Sequence, residues 1–314
     1  MATDKKIDVS FVVTISEKTH ELKNIYEEFS GKMKDLNRSC EFVFVQDTDF
    51  AALGGMLDDL RKGYQNVKVV KLHSAFSESV ALSAGFKRCE GSFVITLPVY
   101  HQINADDIGK ILAALEDGQD VVAARRYPRK DGLLIQAEAR VFNWLVRKMT
   151  DVTVHDLGSG VVGMKQEVAL SLDIYGDLFR FIPILASRQG YKIEEVAVRH
   201  VKRRKKSGIY TFGVYVRRLL DILTLFFLVK FTKKPLRFFG LIGGGFFGIG
   251  VITVFYLALQ RLFGVPIGNR PMLIFGVLLM VLGIQLLSIG LIGEIIIFTH
   301  AKKIKEYKVD KTLE

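Results

Sequence analysis

The chain has 314 residues, 49% of them hydrophobic, with 44 Lys and Arg against 33 Asp and Glu and a formal net charge of +11. That length allows one large domain or two smaller ones. Its two cysteines, Cys40 and Cys89, lie far apart without partner spacing, which argues against a disulfide framework or a zinc site and for free thiols in a reducing compartment.

The opening "MATDKKIDVSF" is charged and the apolar run after it is only a strand long, so no signal peptide is expected. Residues 1–200 then alternate strand and helix. "VSFVVTI" (9–15), "EFVFVQD" (41–47), "VKVVKL" (67–72) and "GSFVITL" (91–97) are apolar, β-rich runs. Helical patterns fall between them at about 19–36, 51–62, 77–88 and 105–117. Near-continuous apolar strands alternating with helices predict an α/β fold, a mostly parallel sheet with helices on both faces. Ligands of such sheets bind at the carboxyl ends of strands. The places to inspect are therefore 15–18, 46–49 and 98–102.

Residues 211–236 are apolar on one face, with basic residues at 217, 218, 230, 233 and 234. Charges interrupt every window long enough to span, so this stretch reads as interfacial amphipathic helices. Phe238 to Leu259 and Met272 to Gly293 are each 22 residues without a charge, enough to cross a bilayer twice. Lys230, Lys233, Lys234 and Arg237 precede the first run, and Lys302, Lys303 and Lys305 follow the second, while the connecting loop holds only Arg261 and Arg270. The positive-inside rule then places both termini in the cytoplasm. Gly240, Gly244 and Gly248 recur at four-residue spacing, a face on which a second helix, and hence another copy of the chain, could pack closely. Glu294 reads as a solvated residue at headgroup level.

From Arg199 to Arg237 there are 12 basic residues against one acid, Asp221, so this stretch alone carries the whole net charge of +11. It abuts a membrane span. Anionic headgroups or a phosphorylated lipid are the expected partners, and nucleic acid is not.

The organisation resembles family 2 glycosyltransferases of the polyprenyl-phosphate type, a family with a cytoplasmic GT-A domain. "IQLLSIGLIGEIIIFTHAKKIKEY" is similar to the family's "GLIGEY" ending, and "CEGSFVITL" to its approach to a metal motif. "VALSAGF" (80–86) is similar to the helix before that strand. "RFIPILASRQGYKIEEVAVRHVKRRKKSGIYTFG" (180–213) has the family's helix, Gly-Tyr turn, strand ending "V.V.H" and basic loop. The resemblance implies a GT-A domain over 1–210, interfacial helices over 211–237, a transmembrane hairpin over 238–298 and a basic tail over 299–314. It also implies an integral protein of the cytoplasmic (inner) membrane, active in lipid-linked sugar metabolism and envelope glycan assembly.

In such a site a divalent metal held by carboxylates stabilises the departing diphosphate, and basic residues hold the acceptor lipid phosphate. Several family positions differ here. The first strand's "P.YNE" reads Thr14, Ile15, Ser16, Glu17, Lys18, with the acid shifted by one. The second strand's "VDDGS.D" reads Val45, Gln46, Asp47, Thr48, Asp49, keeping Asp47. The loop "N.GK..A" reads "AFSESVA" (75–81), with Ser77 for the glycine and Glu78 for the basic residue. The metal motif "D.D.Q" reads Pro98, Val99, Tyr100, His101, Gln102, and only Gln102 matches.

"DLGSGVVGM" (156–164) places Asp156 where the family has an acid often assigned as base, although Asp156 before "GSG" also reads as turn chemistry. The resemblance implies donor-binding roles for Glu17, Asp47 and Gln102. It implies lipid-phosphate binding for His200, Lys202, Arg203, Arg204, Lys205, Lys206 and Tyr210. "RRYPRK" (125–130) reads as a solvated loop, and Asp106 and Asp107 as first-turn acids of a helix.

Two functional readings follow. Simultaneous loss of the motif carboxylates favours a silent relative with no metal cofactor, binding polyprenyl phosphate or partnering an active glycosyltransferase or a flippase. The alternative is an active transferase using Mg²⁺ or Mn²⁺ held in another geometry by Glu17, Asp47, Asp49, His101 or Asp106.

Overall fold

Period-two alternation along the strands decides which side of the sheet each residue joins. The computed structural model describes residues 7–15, 21–46, 51–74, 76–128, 154–174, 176, 178–201, 220, 235–264 and 271–301. The chain separates into two units, Met1–Ile222 and Leu223–Glu314.

In the first unit the order is β1 (Val9–Ile15), α1 (Leu22–Asp35), β2 (Cys40–Gln46), α2 (Ala51–Gly63), β3 (Val67–Lys71), α3 (Glu78–Phe86) and β4 (Phe93–Pro98). A 3₁₀ turn (Ala105–Asp107) leads into α4 (Ile108–Glu116), β5 (Val121–Arg126), β6 (Val162–Lys165) and α5 (Gln166–Ser171). A second 3₁₀ turn (Leu178–Phe181), α6 (Ile182–Arg188) and β7 (Ile193–Val198) follow. The sheet has seven strands in the order β3-β2-β1-β4-β6-β5-β7. All pairings are parallel except those of β6, which runs antiparallel to both β4 and β5. The four predicted strands and four predicted helices are present to within a few residues. The antiparallel β6 between parallel neighbours was not expected.

On one face Val9, Phe11, Val13 and Ile15 of β1 pack with Ile25, Phe29 and Met33 of α1 and Ile108, Ile111 and Leu115 of α4. Phe11 and Phe42 stack with centroids 4.8 Å apart. On the other face Val12, Val43, Val45 and Val94 meet Ala81, Leu82 and Phe86 of α3, Val168 of α5 and Ala186 of α6. Cys89 is buried there and Cys40 half-buried, both as free thiols. Burial pushes the Cys40 thiol up to about 11 and that of Cys89 up to about 12, so neither is a reactive thiolate at neutral pH.

The amino ends of the strands carry a buried ionic network. Glu41, 1% exposed, accepts from the Ser10 hydroxyl at 2.6 Å and from the Glu90 N–H at 2.6 Å. Lys68 Nζ lies 2.7 Å from its other oxygen, an ionic contact rather than a well-aligned hydrogen bond. Burial alone would raise the Glu41 pKa, but these interactions outweigh it and hold the carboxyl below its ordinary value.

Asp107, 2% exposed, behaves likewise. Burial opposes its ionisation, but the Arg199 N–H at 2.7 Å and Nε at 3.0 Å, with Lys110 Nζ at 2.9 Å, pull it down to about 2. Both folded pKa values are depressed, so the stabilisation is present above the ordinary carboxylate range and is lost as pH falls through it. The denaturation midpoint of the first unit is expected to fall progressively between about pH 5 and pH 2, and Glu41→Gln to flatten that slope. A Glu41→Gln profile parallel to the wild type would contradict the assignment.

Among the described residues the second unit holds α7 (Pro235–Leu262) and α8 (Pro271–Ala301), two helices long and apolar enough to cross a membrane. Both run beyond the uncharged stretches predicted. Their contact is not made by the 240/244/248 face. Gly243, Gly250 and Leu257 are the buried positions along the middle of α7, at seven-residue spacing, and Gly276, Gly283 and Gly290 are buried on α8 at the same spacing. Gly244 and Gly248 have nothing within 4 Å of where a Cβ would stand. A strict heptad repeat keeps one narrow seam facing its neighbour along both helices. Glu294 is engaged rather than solvated: its Oε2 accepts from the Leu236 N–H, an otherwise unsatisfied donor in the first turn of α7, at 3.4 Å. The interfacial segment falls outside the described residues apart from Leu220 and 235–237, as does the tail beyond 301.

Candidate functional site

The ends of β1 and β4 define the site. Thr14 and Pro98 are register partners, and the helices that follow β1 and β3 cover opposite faces of the sheet. This is the topological switch point at which open α/β sheets take ligands. A crevice opens there, lined by Thr14, Thr96 and Pro98 from the strand ends, Glu78 and Leu82 from α3, and Ser159 and Gly160 from the loop before β6. The odd residues of β1 point to the α1 side, so Ser10, Val12 and Thr14 share the α3 side, and Thr14 reaches the crevice.

The loop after β4 is built into the scaffold. Tyr100 packs against the α1-side core. His101 turns towards α1, with Nε2 2.6 Å from Glu28 and Nδ1 3.5 Å from Glu21. The Glu28 contact is close enough for an ion pair but is not aligned as a hydrogen bond. Gln102 is 4% exposed, its side-chain oxygen accepting from the Gly160 N–H at 2.8 Å and its carbonyl from the Val201 N–H at 3.0 Å. Asp106 is tied to Lys32 at 3.3 Å and to Arg199 at 3.2 Å.

A hard divalent cation needs several oxygen ligands, carboxylates above all. Pro98 offers none from its side chain, the Tyr100 ring packs against the α1-side core, and Gln102 spends its oxygen on Gly160. Among the described residues no three His, Cys, Asp or Glu side chains converge as a metal site. The described strand ends do not fit a catalytic Mg²⁺ or Mn²⁺.

Asp156 lies at the start of the turn that carries Ser159 and Gly160. It is 4% exposed, and both its oxygens accept from Arg126, Oδ2 from Nε and Oδ1 from Nη2, each at 2.7 Å. Such a bidentate pair fixes both position and plane. The Arg126 N–H adds a third bond at 3.2 Å, and a Cβ at Gly158 would stand 3.0 Å from Nη2, so the turn closes tightly over the guanidinium. From β7, Glu195 accepts from the N–H groups of His155 and Asp156 at 2.7 and 2.9 Å and meets His155 Nδ1 at 2.8 Å.

Arg126 corrects the solvated-loop reading of "RRYPRK": it is 7% exposed. The signal was available, because Val122, Ala124 and Arg126 share one phase of β5, and the first two belong to the α1-side core.

His200 is 5% exposed and forms an antiparallel bridge with Ile103. Glu17, Asp47, Asp49, Lys202, Arg203, Arg204, Lys205, Lys206 and Tyr210 lie outside the described residues. The structure therefore brings Gln102 and Asp156 to one turn, and leaves the basic-loop and first-strand assignments as expectations.

A parallel sheet broken by one antiparallel strand, with its crevice at the β1/β4 switch point and a C-terminal apolar hairpin, defines a membrane-associated protein of the GT-A fold class. Residues 24–169 match the family described as Glycosyl transferase family 2. It is 26% identical over 303 residues to the dodecaprenyl-phosphate galacturonate synthase of Rhizobium johnstonii, covering 94% of this chain and 89% of that one. It is 29% identical over 290 residues to an undecaprenyl-phosphate 4-deoxy-4-formamido-L-arabinose transferase of Pseudomonas aeruginosa, covering 91% and 84%.

Among solved structures, a mannosyltransferase of Pyrobaculum calidifontis in complex with GDP-Man and Mn²⁺ aligns at a TM-score of 0.51 and 14% identity, covering 96% of this chain and 81% of that one. The glucosyl-3-phosphoglycerate synthase of Mycobacterium tuberculosis aligns at 0.52 and 14%, covering 70% and 79%. These two show the fold.

Proposed function

We propose that this chain is a membrane-anchored member of the polyprenyl-phosphate sugar transferase group whose donor and metal site is degraded. It binds lipid phosphate, or partners an active glycosyltransferase or a flippase, instead of transferring sugar itself. The observation that carries this reading is the end of β4. Pro98 and Tyr100 stand where the family's two metal-motif aspartates would be, and Gln102 is hydrogen-bonded to Gly160. A departing diphosphate gains negative charge as the glycosidic bond breaks, and nothing described at this strand end neutralises it.

The lipid-facing features support retained membrane and phosphate binding. The basic run Lys202, Arg203, Arg204, Lys205 and Lys206 precedes the interfacial segment 211–237 and suits a phosphorylated lipid or anionic headgroups. The cation distribution around α7 and α8 supports placing both termini in the cytoplasm.

A second reading is an active transferase with an atypical site. It is favoured by the relatives, which carry transferase and synthase names over most of their lengths. In that reading Asp156 is a positioned carboxylate beside the acceptor, and Glu17 and Asp47 contact the donor.

A transfer assay separates the two. The full chain in detergent or proteoliposomes, given undecaprenyl phosphate, Mn²⁺ and a panel of labelled UDP- and GDP-sugars, is expected to form no lipid-linked sugar. Product formation above a no-protein control would overturn the silent reading and establish the second.

A further inference from the structure

The outer face of α8 carries a polar group that the hairpin does not satisfy. Within the two uncharged runs, Thr253 donates to the Ile249 carbonyl at 2.8 Å, Ser288 donates to the Ile284 carbonyl at 2.9 Å, and the Tyr256 hydroxyl accepts from Gln260 at 2.9 Å. Hydroxyls on a helix commonly settle on the carbonyl one turn back. Gln285 is the remaining polar side chain of those runs, and among the described residues it makes no hydrogen bond.

Leu278, Gln285 and Ile292 each follow a seam glycine by two residues, about 200° round a helix, so they lie on the side away from α7. With Val281 and Ser288 they form an exposed row whose spacing alternates between three and four residues, the pattern of a coiled-coil seam. Gln285 lies 13 residues from Met272 and eight from Gly293, roughly 20 Å and 12 Å along the axis. In a spanning helix that depth is within the hydrocarbon, beyond the reach of its short side chain to the headgroups. Acyl chains offer an amide neither donor nor acceptor, and a polar group left unpaired there is costly.

We infer that this row is an interface for a second copy of the chain, with Gln285 at its centre. Two copies inserted in the same sense place their Gln285 side chains at equal depth across a two-fold axis. Each amide has both a donor and an acceptor, so the pair closes two reciprocal hydrogen bonds and satisfies itself. Ser288 is small and already bonded, which leaves room one turn along. A single amide in an otherwise apolar seam also fixes register, as a lone polar residue does in a coiled coil. The inference rests on the two helices spanning a bilayer.

Val281→Cys, one turn before Gln285 on the same face, reports the contact. The full chain is reconstituted alone in proteoliposomes over a range of protein-to-lipid ratios, oxidised with copper phenanthroline and scored for a disulfide-linked dimer, with the chain lacking Val281→Cys as background. A dimer that depends on Cys at 281 is expected. Gln285→Leu is expected to move the half-dimer point to a protein-to-lipid ratio at least about five-fold higher, and Gln285→Asn, which keeps the amide, to move it less. If the Leu variant fails to insert, the parent and the Asn variant decide. No dimer dependent on position 281, a half-dimer point unmoved by Gln285→Leu, or cross-linking in native membranes only to a different protein would overturn the inference. Alkaline extraction separates the two claims: a chain retained in the membrane without dimer refutes the interface alone, and a chain released as soluble protein refutes the spanning helices with it.

Discussion

Asp156→Ala is expected to destabilise the first unit by about 3–5 kcal/mol, the loss typical when one partner of a buried ion pair is removed and the other is left uncompensated. The geometry argues for the upper part of that range. Arg126 and Asp156 are 7% and 4% exposed, both guanidinium contacts are 2.7 Å, and the backbone N–H of Arg126 joins the same carboxylate. Removing the carboxylate takes three hydrogen bonds from the buried Arg126. Asp156→Asn, which keeps one acceptor oxygen, is expected to lose less. Replacing both partners by apolar residues of similar size is expected to recover most of the loss, because the pair's own attraction only roughly offsets its desolvation. Chemical denaturation, read by hydrogen exchange in β5, measures all three. A loss below about 1 kcal/mol for Asp156→Ala would mean that the pair is solvated and that the turn is held by other contacts.

The same pair shows where sequence reasoning succeeds and where it stops. The apolar alternation of β1, β2 and β4 was legible because each buried face repeats every second residue, and those residues do form the two core clusters. The two membrane-length helices were legible from their uninterrupted apolar runs. Strand β6 was not legible: Val162–Lys165 is four residues long, too short for alternation to register, and its direction is set by β4 and β5, which it joins.

At the site, the replacements Pro98, Tyr100 and Glu78 could be read directly, but what had become of the survivors could not. Gln102 looked like a remnant of donor chemistry, yet its side chain holds Gly160 across 58 positions of sequence. Asp156 looked like an acid beside a turn, and its partner Arg126 lies 30 residues away in a segment read as surface. Long-range polar pairs leave no local periodicity, so only the phase of Arg126 on β5 hinted at its burial. The face that α7 turns to α8 was not legible for a related reason, and the 240/244/248 face remains an expectation for contact with another copy. Four-residue and seven-residue spacings coexist in "GLIGGGFFGIG", and which one is used depends on the partner helix, whose own glycines fall at sevens.

That seam carries the second large expectation. Gly283→Leu is expected to force α7 and α8 apart, whereas Gly244→Leu and Gly248→Leu are expected to leave the hairpin intact. A Cβ at 283 would stand 2.6 Å from the Gly243 carbonyl oxygen and 2.6 Å from the Phe247 nitrogen, and a Cβ at 243 would stand 2.7 Å from the Gly283 carbonyl. The obstacles are backbone atoms on both sides, so no rotamer change relieves them. At 250 the same clash recurs with the Gly276 carbonyl at 2.7 Å, which makes the close approach a property of the whole seam. In a bilayer there is no hydrophobic gain from pressing two apolar helices together. Their association depends on the van der Waals contact and weak Cα–H···O interactions that only glycine permits at this distance. Overpacking by a Leu there is expected to cost about 2–3 kcal/mol, enough to shift a hairpin held mainly by packing. Cysteines introduced at Gly240 and Leu287, neighbours across the seam, report the geometry through a short bismaleimide cross-link in membranes. Efficient cross-linking in the parent and in the Gly244→Leu and Gly248→Leu backgrounds, with loss in Gly283→Leu, is the expected pattern. Undiminished cross-linking with Gly283→Leu would show that the helices do not meet along the 243/250–276/283 seam.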